Sequence, residues 1–342
     1  MGDYEVEDRL KIGVIGTGRI GSFHTRNLVR RIPEANVVAV CDIRLDVAQA
    51  VADELGIRRV VRDYRELLAD KEIEAVVIAS NTDTHAFMIK DAALAGKHIF
   101  SEKPLALDLA SIDDALAVVE KTGVKLQVGF NRRFDRSFRR VREIVASGQV
   151  GRPCILHITN RDPVPPTLEY AKTSGGMFLD MAIHDFDMAR YQLGEIEEVY
   201  AMGNVLVAPE LAEIGDVDTD VVTLRFANGA LGVIDNSRQA VYGYDQRLEV
   251  FGSAGSARAE NEANDTVLQS DASGLHSAKP PRFFIDRYLE CYVTEFREFI
   301  DCVLNDKIPP VTGKDGRLAV VIGFAAIRSF KENRPVRLSE IS

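Results

Sequence analysis

The first 130 residues alternate between short, continuously apolar segments and amphipathic segments with helical periodicity. The apolar segments lie at 11–16, 37–42, 75–80, 98–101 and 126–129, and the amphipathic segments at 20–30, 45–55, 84–95 and 109–121. Strands without a polar face are typical of a parallel sheet that is covered by helices on both sides. The alternation therefore predicts an α/β domain with a doubly wound parallel sheet.

The pattern changes after about residue 130. Helical patterns at 134–147 and 175–193 are followed by strand-like segments at 199–207, 221–226, 230–235 and 247–251, and helical patterns return at 288–304 and 314–331. Asn228 and Gly229 separate two of these strands and form a typical hairpin turn signal. Successive strands bracketed by helices predict an α+β domain with a large, mostly antiparallel open sheet. We therefore expect two domains, at 9–130 and 131–342.

Composition excludes several classes of protein. With 42 basic and 52 acidic residues, the chain has a formal net charge of −10, which argues against nucleic acid or an anionic membrane as a partner. No apolar run reaches the roughly 18–20 residues of a membrane span, and the acidic start, MGDYEVEDRL, does not resemble a signal peptide. The cysteines lie far apart without CxxC spacing, so we expect free thiols and a cytoplasmic protein. They are Cys41, Cys154, Cys291 and Cys302.

A glycine-rich turn follows the first predicted strand and opens the first predicted helix. It fits the pattern GxGxxG with the residues GTGRIG at 16–21. In this pattern Gly16 permits the tight turn, Gly18 lets the backbone approach a pyrophosphate, and Gly21 lets the helix pack closely on the strand. The N-terminus of the helix then presents backbone N–H groups to the phosphates. The turn predicts a dinucleotide site, and a turn that serves packing alone is the alternative.

Asp42 ends the second predicted strand, in the region where a dinucleotide-binding domain places an acid. A carboxylate there accepts hydrogen bonds from the adenine ribose and repels a 2′-phosphate, which favours NAD over NADP. Two alternatives remain, since Asp42 could cap the following helix and Arg44 could pair with a 2′-phosphate. The strand, turn, helix and acid together predict NAD as the cofactor.

Glu102, Lys103 and Pro104 follow the predicted strand at 98–101. Ligands bind at the carboxyl ends of the strands in a doubly wound sheet. A lysine at this position can reach a substrate hydroxyl beside the nicotinamide, and a solvated loop lysine is the alternative interpretation.

The densest chemistry lies in the apolar segment GGMFLDMAIHDFD at 175–187. Asp180 and His184 are four residues apart, so in a helix they share one face and can interact. A carboxylate beside an imidazole fixes its orientation and stabilises the imidazolium. A pair satisfied within the core is one alternative, and a metal site that includes Asp187 is another. No second cluster of metal ligands is visible in the sequence, and we expect no metal.

These motifs resemble the glucose–fructose oxidoreductase / inositol dehydrogenase family (Gfo/Idh/MocA) over nearly the whole chain. The matching segments are IGVIGTGRIG at 12–21, Asp42, SEKPLA at 101–106, GFNRRFD at 129–135 and GGMFLDMAIHDFD at 175–187. Within the family the chain is most similar to bacterial inositol 2-dehydrogenases. That similarity is carried by RDP at 161–163, VIDNSR at 233–238 and YGYD at 242–245.

The resemblance implies a Rossmann NAD-binding domain, a homotetramer, and oxidation of a ring hydroxyl of myo-inositol to the 2-keto product. It implies that the catalytic residues are Lys103, Asp180 and His184. Cofactor contacts are implied at Gly16, Gly18, Arg19, Ile20, Gly21, Asp42, Ile43, Arg44, Ser80, Asn81, Thr82, His85, Glu102 and Lys103. Substrate contacts are implied at Asn131, Arg132, Asp162 and Tyr244.

Three other functions remain open from the sequence. One is a dehydrogenase for another cyclic polyol or sugar, such as scyllo-inositol, chiro-inositol or an aldose. The second is an NAD-dependent glycoside hydrolase, which would release no net NADH. The third is a dinucleotide-binding sensor, which would have little reason to keep a lysine, an aspartate and a histidine together.

Overall fold

Six parallel strands form the first sheet of the protein, which we describe from a computed structural model over residues 9–341. The strands are β1 (Leu10–Ile15), β2 (Ala35–Cys41), β3 (Arg59–Val61), β4 (Ala75–Ile78), β5 (His98–Ser101) and β6 (Leu126–Val128). They lie in the order β3-β2-β1-β4-β5-β6, with β1 between β2 and β4. This order confirms the predicted doubly wound sheet. The prediction about a signal peptide concerns residues 1–10, of which residues 1–8 lie outside the described part of the chain.

Helices connect the strands of this sheet: α1 (Arg19–Arg31), α2 (Leu45–Leu55), α3 (Arg65–Ala69), α4 (Thr82–Leu94) and α5 (Leu109–Thr122). The periodicity of the sequence predicts all of them except α3. Strand β3 is also missing from the prediction. With five and three residues, these elements are too short to show a period.

A seven-stranded mixed sheet organises the later part of the chain. Its strands are β7 (Pro153–Arg161), β8 (Ile196–Asn204), β9 (Thr219–Phe226), β10 (Leu231–Ser237), β11 (Asp245–Gly252), β12 (Gly255–Ala259) and β15 (Val336–Arg337). They lie in the order β12-β11-β7-β10-β9-β8-β15, and the pairing of β7 with β10 is parallel whereas the other pairs are antiparallel. The predicted α+β fold with a mostly antiparallel sheet is confirmed. The interior strand β7 is not predicted from the sequence, because it starts at a proline and mixes polar with apolar residues.

The remaining elements are short strands and helices. A separate hairpin consists of β13 (Leu268–Asp271) and β14 (Gly274–Ser277). The helices are α6 (Arg136–Ala146), α7 (Leu168–Ser174), α8 (Ile183–Leu193), α9 (Phe284–Arg287), α10 (Leu289–Leu304) and α11 (Gly313–Glu332). Among residues 9–341, no helix has both the length and the hydropathy that crossing a membrane requires.

Contacts divide the described chain into two units. The first contains the residues up to Asn131 together with Glu290–Leu318, and the second contains Arg132–Leu289 and the residues from Ala319 onward. The prediction assigned all residues after 130 to the second domain. It is corrected for Glu290–Leu318, which belongs to the first unit. In the first unit, Phe296 and Phe299 of α10 are fully buried, with ring centroids 4.2 and 5.9 Å from that of Phe100 on β5. No local pattern predicts a contact between residues so distant in sequence.

Candidate active site

The glycine turn after β1 has the close approaches that the motif requires. Gly16 has a φ of +90°, and a Cβ atom on it would lie 2.6 Å from the carbonyl oxygen of Ala79. A Cβ atom on Gly21 would lie 2.0 Å from the carbonyl oxygen of Gly16. Larger side chains at both positions would therefore push the turn away from the neighbouring loop or the helix away from β1.

Gly18 differs from the other two glycines, because a Cβ atom there would have no atom of the described chain within 4 Å. It is the N-cap of α1, and no side chain among the described residues caps this helix. The first N–H groups of a helix lack intrahelical acceptors and attract anions. An open backbone at an uncapped helix N-terminus fits the pyrophosphate of a dinucleotide.

Asp42 lies directly after β2 and is held by the same turn. Its Oδ2 atom accepts hydrogen bonds from the backbone N–H of Thr17 at 2.8 Å and from the Thr17 hydroxyl at 3.0 Å. Its Oδ1 atom accepts from the N–H of Arg44 at 2.9 Å. The N-cap of α2 is Arg44, so the alternative of Asp42 as the helix cap is wrong. Ile43 and Arg44 are exposed beside it. Thr17 orients the acid, and the sequence analysis gave it no role.

Glu102, the residue after β5, is part of a buried pair that sequence reasoning missed. Its Oε1 atom lies 2.7 Å from Nε2 of the fully buried His24 on α1, and its Oε2 atom accepts from the N–H of Lys103 at 3.2 Å. Burial alone would raise the pKa of Glu102, but the hydrogen bond with His24 and nearby positive charge hold it below its ordinary value. Gly129 leaves room for this carboxylate, since a Cβ atom there would lie 3.3 Å from it. Glu102 is thus fixed as an anion beside Lys103.

His85 on α4 connects the loops that follow β4 and β5. It is buried, with Nδ1 2.8 Å from the carbonyl oxygen of Pro104 and Nε2 3.1 Å from that of Ser80. Burial lowers the pKa of His85. Asn81 and Thr82, at the start of α4, lie in the loop that His85 holds. The ring supports the two loops, and its predicted contact with the cofactor stays a prediction.

In the second unit, the segment that was predicted as one helix at 175–193 is broken. The residues Gly175 and Gly176 have φ angles of +93° and +73° and end α7, because such angles interrupt a right-handed helix. A π-helical turn, Met177–Met181, follows and leads into α8. Asp180 lies in the π-turn and His184 in the first turn of α8. The prediction that Asp180 and His184 share one face rested on a regular α-helix and is corrected in this respect. Single π-turns are frequent at functional sites.

Asp180 contacts two residues that the sequence analysis did not assign to the site. Its Oδ1 atom accepts a hydrogen bond from the Tyr170 hydroxyl at 2.9 Å, and its Oδ2 atom lies 3.3 Å from Nη2 of Arg238. The same guanidinium lies 3.4 Å from Oδ2 of Asp162, through Nη1. Two acids that were predicted from the family resemblance therefore lie within one buried network.

Arg132 and Tyr244, both predicted substrate residues, are brought together in the second unit. The Nη2 atom of Arg132 donates to the Tyr244 hydroxyl at 3.0 Å, and its Nη1 atom lies 2.5 Å from Oδ1 of Asp185. Burial raises the pKa of Tyr244 to about 12, so its hydroxyl stays protonated at neutral pH. Asn131, in the first unit, has a buried Nδ2 atom with no acceptor among the described residues. Arg132 and Tyr244 offer donors and acceptors of the kind that a polyhydroxyl ligand needs.

Within residues 9–341, no group of three or more histidine, cysteine, aspartate or glutamate side chains is placed to hold a metal ion.

The two sets of site residues differ in their place in the fold. The glycine turn, Asp42, Ser80 and Lys103 follow parallel strands of the first sheet. Asp162 follows β7 in the second sheet, where Arg238 follows the neighbouring strand β10.

Comparison with known families gives two matches. Residues 10–130 match "Oxidoreductase family, NAD-binding Rossmann fold", and residues 138–258 match "GFO/IDH/MocA C-terminal domain". The myo-inositol 2-dehydrogenase of Thermotoga maritima is 48% identical over 333 residues, covering 97% of this chain and 99% of the relative. The scyllo-inositol 2-dehydrogenase (NAD(+)) of Bacillus subtilis is 40% identical over 334 residues and 97% of both chains.

A solved structure agrees with these matches. The myo-inositol dehydrogenase from Lactobacillus casei, crystallised with NAD(H) and myo-inositol, is 30% identical, superimposes with a TM-score of 0.88, and covers 96% of each chain.

Proposed function

The chain belongs to the Gfo/Idh/MocA family of oxidoreductases, and from this premise we propose that it oxidises one ring hydroxyl of myo-inositol to the 2-keto product with NAD. The observation that carries the proposal is the buried polar cluster of the second unit. It joins Asp180 and Asp162 through one arginine and joins Arg132 to Tyr244. A ring of hydroxyl groups needs such a set of donors and acceptors.

The first unit fits NAD. Gly16, Gly18 and Gly21 would admit the pyrophosphate at the start of α1, and Asp42 would accept the ribose hydroxyls. The remaining contacts that we propose are Arg19, Ile20, Ile43, Arg44, Ser80, Asn81, Thr82, His85 and Glu102. When bound, NAD accepts the hydride from the carbon that is oxidised.

The protein supplies proton transfer and charge stabilisation. We assign His184 as the general base that takes the proton of the reacting hydroxyl, because imidazole titrates near neutral pH. Asp180 would orient the ring and stabilise its charged form. Lys103 would donate a hydrogen bond to the alkoxide that develops during oxidation. Glu102, held by His24, supports Lys103 as a cation in this role.

The substrate contacts that we propose are Asn131, Arg132, Asp162 and Tyr244. Asn131 and Arg132 donate hydrogen bonds, Asp162 accepts them, and the Tyr244 hydroxyl does both. Oxidation of scyllo-inositol is the second candidate, because a scyllo-inositol dehydrogenase is 40% identical over nearly the full length. The two substrates differ in the orientation of one hydroxyl, which only a direct comparison can resolve.

The test is a panel of myo-, scyllo- and chiro-inositol and several aldoses with NAD, monitored as NADH absorbance, with Lys103→Ala as the inactive control. We expect myo-inositol to give the highest kcat/KM. A higher value with another compound would reassign the substrate. Turnover of a glycoside without net NADH would favour the hydrolase. Tight NAD binding without any turnover would favour a sensor.

We further propose a cytoplasmic homotetramer. The exposed face of the second sheet carries large apolar side chains in cross-strand register, with Ile155 opposite both Leu231 and Phe251, and Met202 opposite Val221. Exposed apolar side chains grouped in this way are typical of a subunit interface. Light scattering during gel filtration should give four times the mass of one chain; a monomer mass would contradict the proposal.

A further inference from the structure

Arg238 follows β10 directly, and its side chain is buried, with 3% of the residue exposed. Its Nη2 atom lies 3.3 Å from Oδ2 of Asp180, and its Nη1 atom lies 3.4 Å from Oδ2 of Asp162. One guanidinium therefore contacts both the acid assigned to orient His184 and an acid assigned to bind substrate.

Backbone pairing fixes this position. β7 and β10 run parallel with Arg161 opposite Ser237, so the residues that follow the two strands emerge side by side. The N–H of Asp162 donates to the carbonyl of Ser237 at 2.9 Å, and the N–H of Arg238 donates to that of Asp218 at 2.8 Å. The acid and the arginine thus come from strand ends in the sheet, which hold side chains more firmly than mobile loops do.

We propose that Arg238 is a positioning residue for the oxidation, which keeps Asp162 and Asp180 ionised and in place and acts only through them. This inference rests on the proposed function, because it takes Asp180 as the partner of His184 and Asp162 as a substrate acceptor. It adds a requirement: the two acids work only while a cation lies between them.

The physical reason is repulsion between like charges. Two carboxylates that share one buried site cannot both stay ionised at neutral pH without a compensating cation. Burial raises the pKa of Asp162, and the charge of Arg238 acts in the opposite direction. The other charged or titratable groups that face this cluster within the unit are Arg132, Tyr170, Asp216, Asp220 and Tyr244.

The first test compares pH profiles of kcat/KM with the best inositol and saturating NAD. Arg238→Gln should move the acid limb to higher pH by roughly one unit, because an uncompensated carboxylate stabilises the imidazolium and the acids themselves take up protons. Well below the limb the variant should lose up to about tenfold in kcat/KM, and less as the pH rises, as a one-unit limb shift implies. Arg238→Lys, which keeps the charge but not the planar fork, should leave the limb near its native position.

Two controls separate positioning from packing. Asp180→Asn alone should move the limb to lower pH, and Arg238→Gln combined with Asp180→Asn should resemble Asp180→Asn, since only one acid is left in the site. Arg140→Gln, which removes an exposed arginine of the same unit from its pair with Glu143, should change nothing. If Arg238→Gln lowers kcat while the limb stays in place, the positioning role is overturned.

A second measurement needs no substrate and is independent of the proposed function. Thermal unfolding of the native protein and of Arg238→Gln should be compared from pH 5 to pH 8. Carboxyls with a raised folded-state pKa stabilise the variant at low pH and lose that contribution as pH rises. The gap in Tm should therefore widen with pH, by roughly 4 °C or more. A gap that is constant with pH overturns the inference, even if no inositol proves to be a substrate.

Discussion

The carboxylates of the candidate sites in the two units are held by different kinds of donor. In the first unit, Asp42 accepts from the backbone and hydroxyl of Thr17, and Glu102 is paired with a histidine and a backbone N–H. In the second unit, Asp180, Asp185 and Asp187 are each paired with an arginine. The first arrangement uses mainly groups that the parallel sheet and its turns already present, whereas the second uses arginine side chains, one of which, Arg238, contacts two acids.

This difference predicts which substitutions should have the larger effect on activity and stability. The N–H groups of Thr17 and Arg44 remain when those side chains are changed, so Asp42 tolerates substitution of its neighbours. An arginine can be removed, and its loss leaves a charge buried without compensation. We therefore expect the loss of an arginine that pairs with a site carboxylate of the second unit to lower both activity and stability, and substitution of the neighbours of Asp42 in the first unit to have smaller effects.

The largest effect should come from the catalytic groups themselves. His184→Ala in the second unit and Lys103→Ala in the first should each lower turnover by roughly 10²–10⁴-fold, with little change in NAD affinity. The double variant should lose less than the product of the single losses, because both groups act on one hydroxyl. Stopped-flow measurement of NADH formation checks this. Near-normal turnover of His184→Ala at neutral pH would show that His184 is not the general base.

The next largest effect concerns the buried pair of Arg133 and Asp187, which is joined by two hydrogen bonds at 2.6 and 2.8 Å. Asp187→Asn should lower the free energy of unfolding by about 3–5 kcal/mol, because it leaves a buried guanidinium without its counter-charge. Glu143→Gln removes the partner of Arg140 in an exposed pair of the same unit and should cost less than about 1 kcal/mol. Denaturant titration measures both. Equal losses would erase the contrast between buried and exposed pairs.

In the first unit, a fully buried carboxyl has no such partner among residues 9–341. Both oxygens of Glu295 on α10 lack a hydrogen bond within this range, and burial raises the pKa of this group well above its ordinary value. At moderately acidic pH, Glu295 is therefore protonated and neutral in the folded protein. Stability relative to Glu295→Gln should be greatest below the unfolded-state value near 4.3 and should decline by up to about 1.4 kcal/mol per pH unit above it.

Chemical denaturation of the native protein and Glu295→Gln between pH 5 and pH 7 tests this decline. The exposed Glu290, at the start of the same helix, provides the control, since Glu290→Gln should give a small offset that does not vary with pH. A pH-independent difference for Glu295→Gln would mean that the carboxyl is ionised and paired.

The smallest effect concerns cofactor selectivity. Native protein should prefer NAD over NADP by at least about 1.4 kcal/mol, or tenfold, because Asp42 would face a phosphate dianion. Asp42→Ala should relax that preference while stability changes little. Asp46→Ala, an exposed acid four residues away, should leave it unchanged. The ratio of kcat/KM for the two cofactors is the measurement; equal values in the native protein would contradict the assignment.

The sequence predicts those features that a local pattern encodes. The glycine turn, Asp42 and the position of Lys103 all follow from short motifs at the ends of apolar strands. The identities of Asp180 and His184 were accessible in the same way, but their geometry was not, because the two glycines before them change the helix type. Their catalytic roles stay predictions.

Other parts of the site depend on contacts between residues that are far apart in sequence. Arg238 reaches Asp162 only because β7 and β10 pair in parallel, and β7 itself has no clear strand pattern. His24 becomes the partner of Glu102 only when α1 packs on the sheet beside β5. A single sequence has no signal for such pairings, since each residue looks like an ordinary polar residue in its own segment.

The insertion of α10 into the first unit has a consequence for biosynthesis. Residues Val293, Phe296, Phe299 and Ile300 belong to the same apolar cluster as β1, β2 and β5. At roughly 5–20 residues per second, the ribosome needs on the order of ten seconds or more to extend the nascent chain from the end of the first sheet to this helix. Throughout that interval the strands of the sheet have been synthesised, but the apolar cluster beside them lacks α10. The cofactor half, although first to be made, is thus completed late, and a fragment that stops at β6 would expose the surface that Phe296 and Phe299 cover.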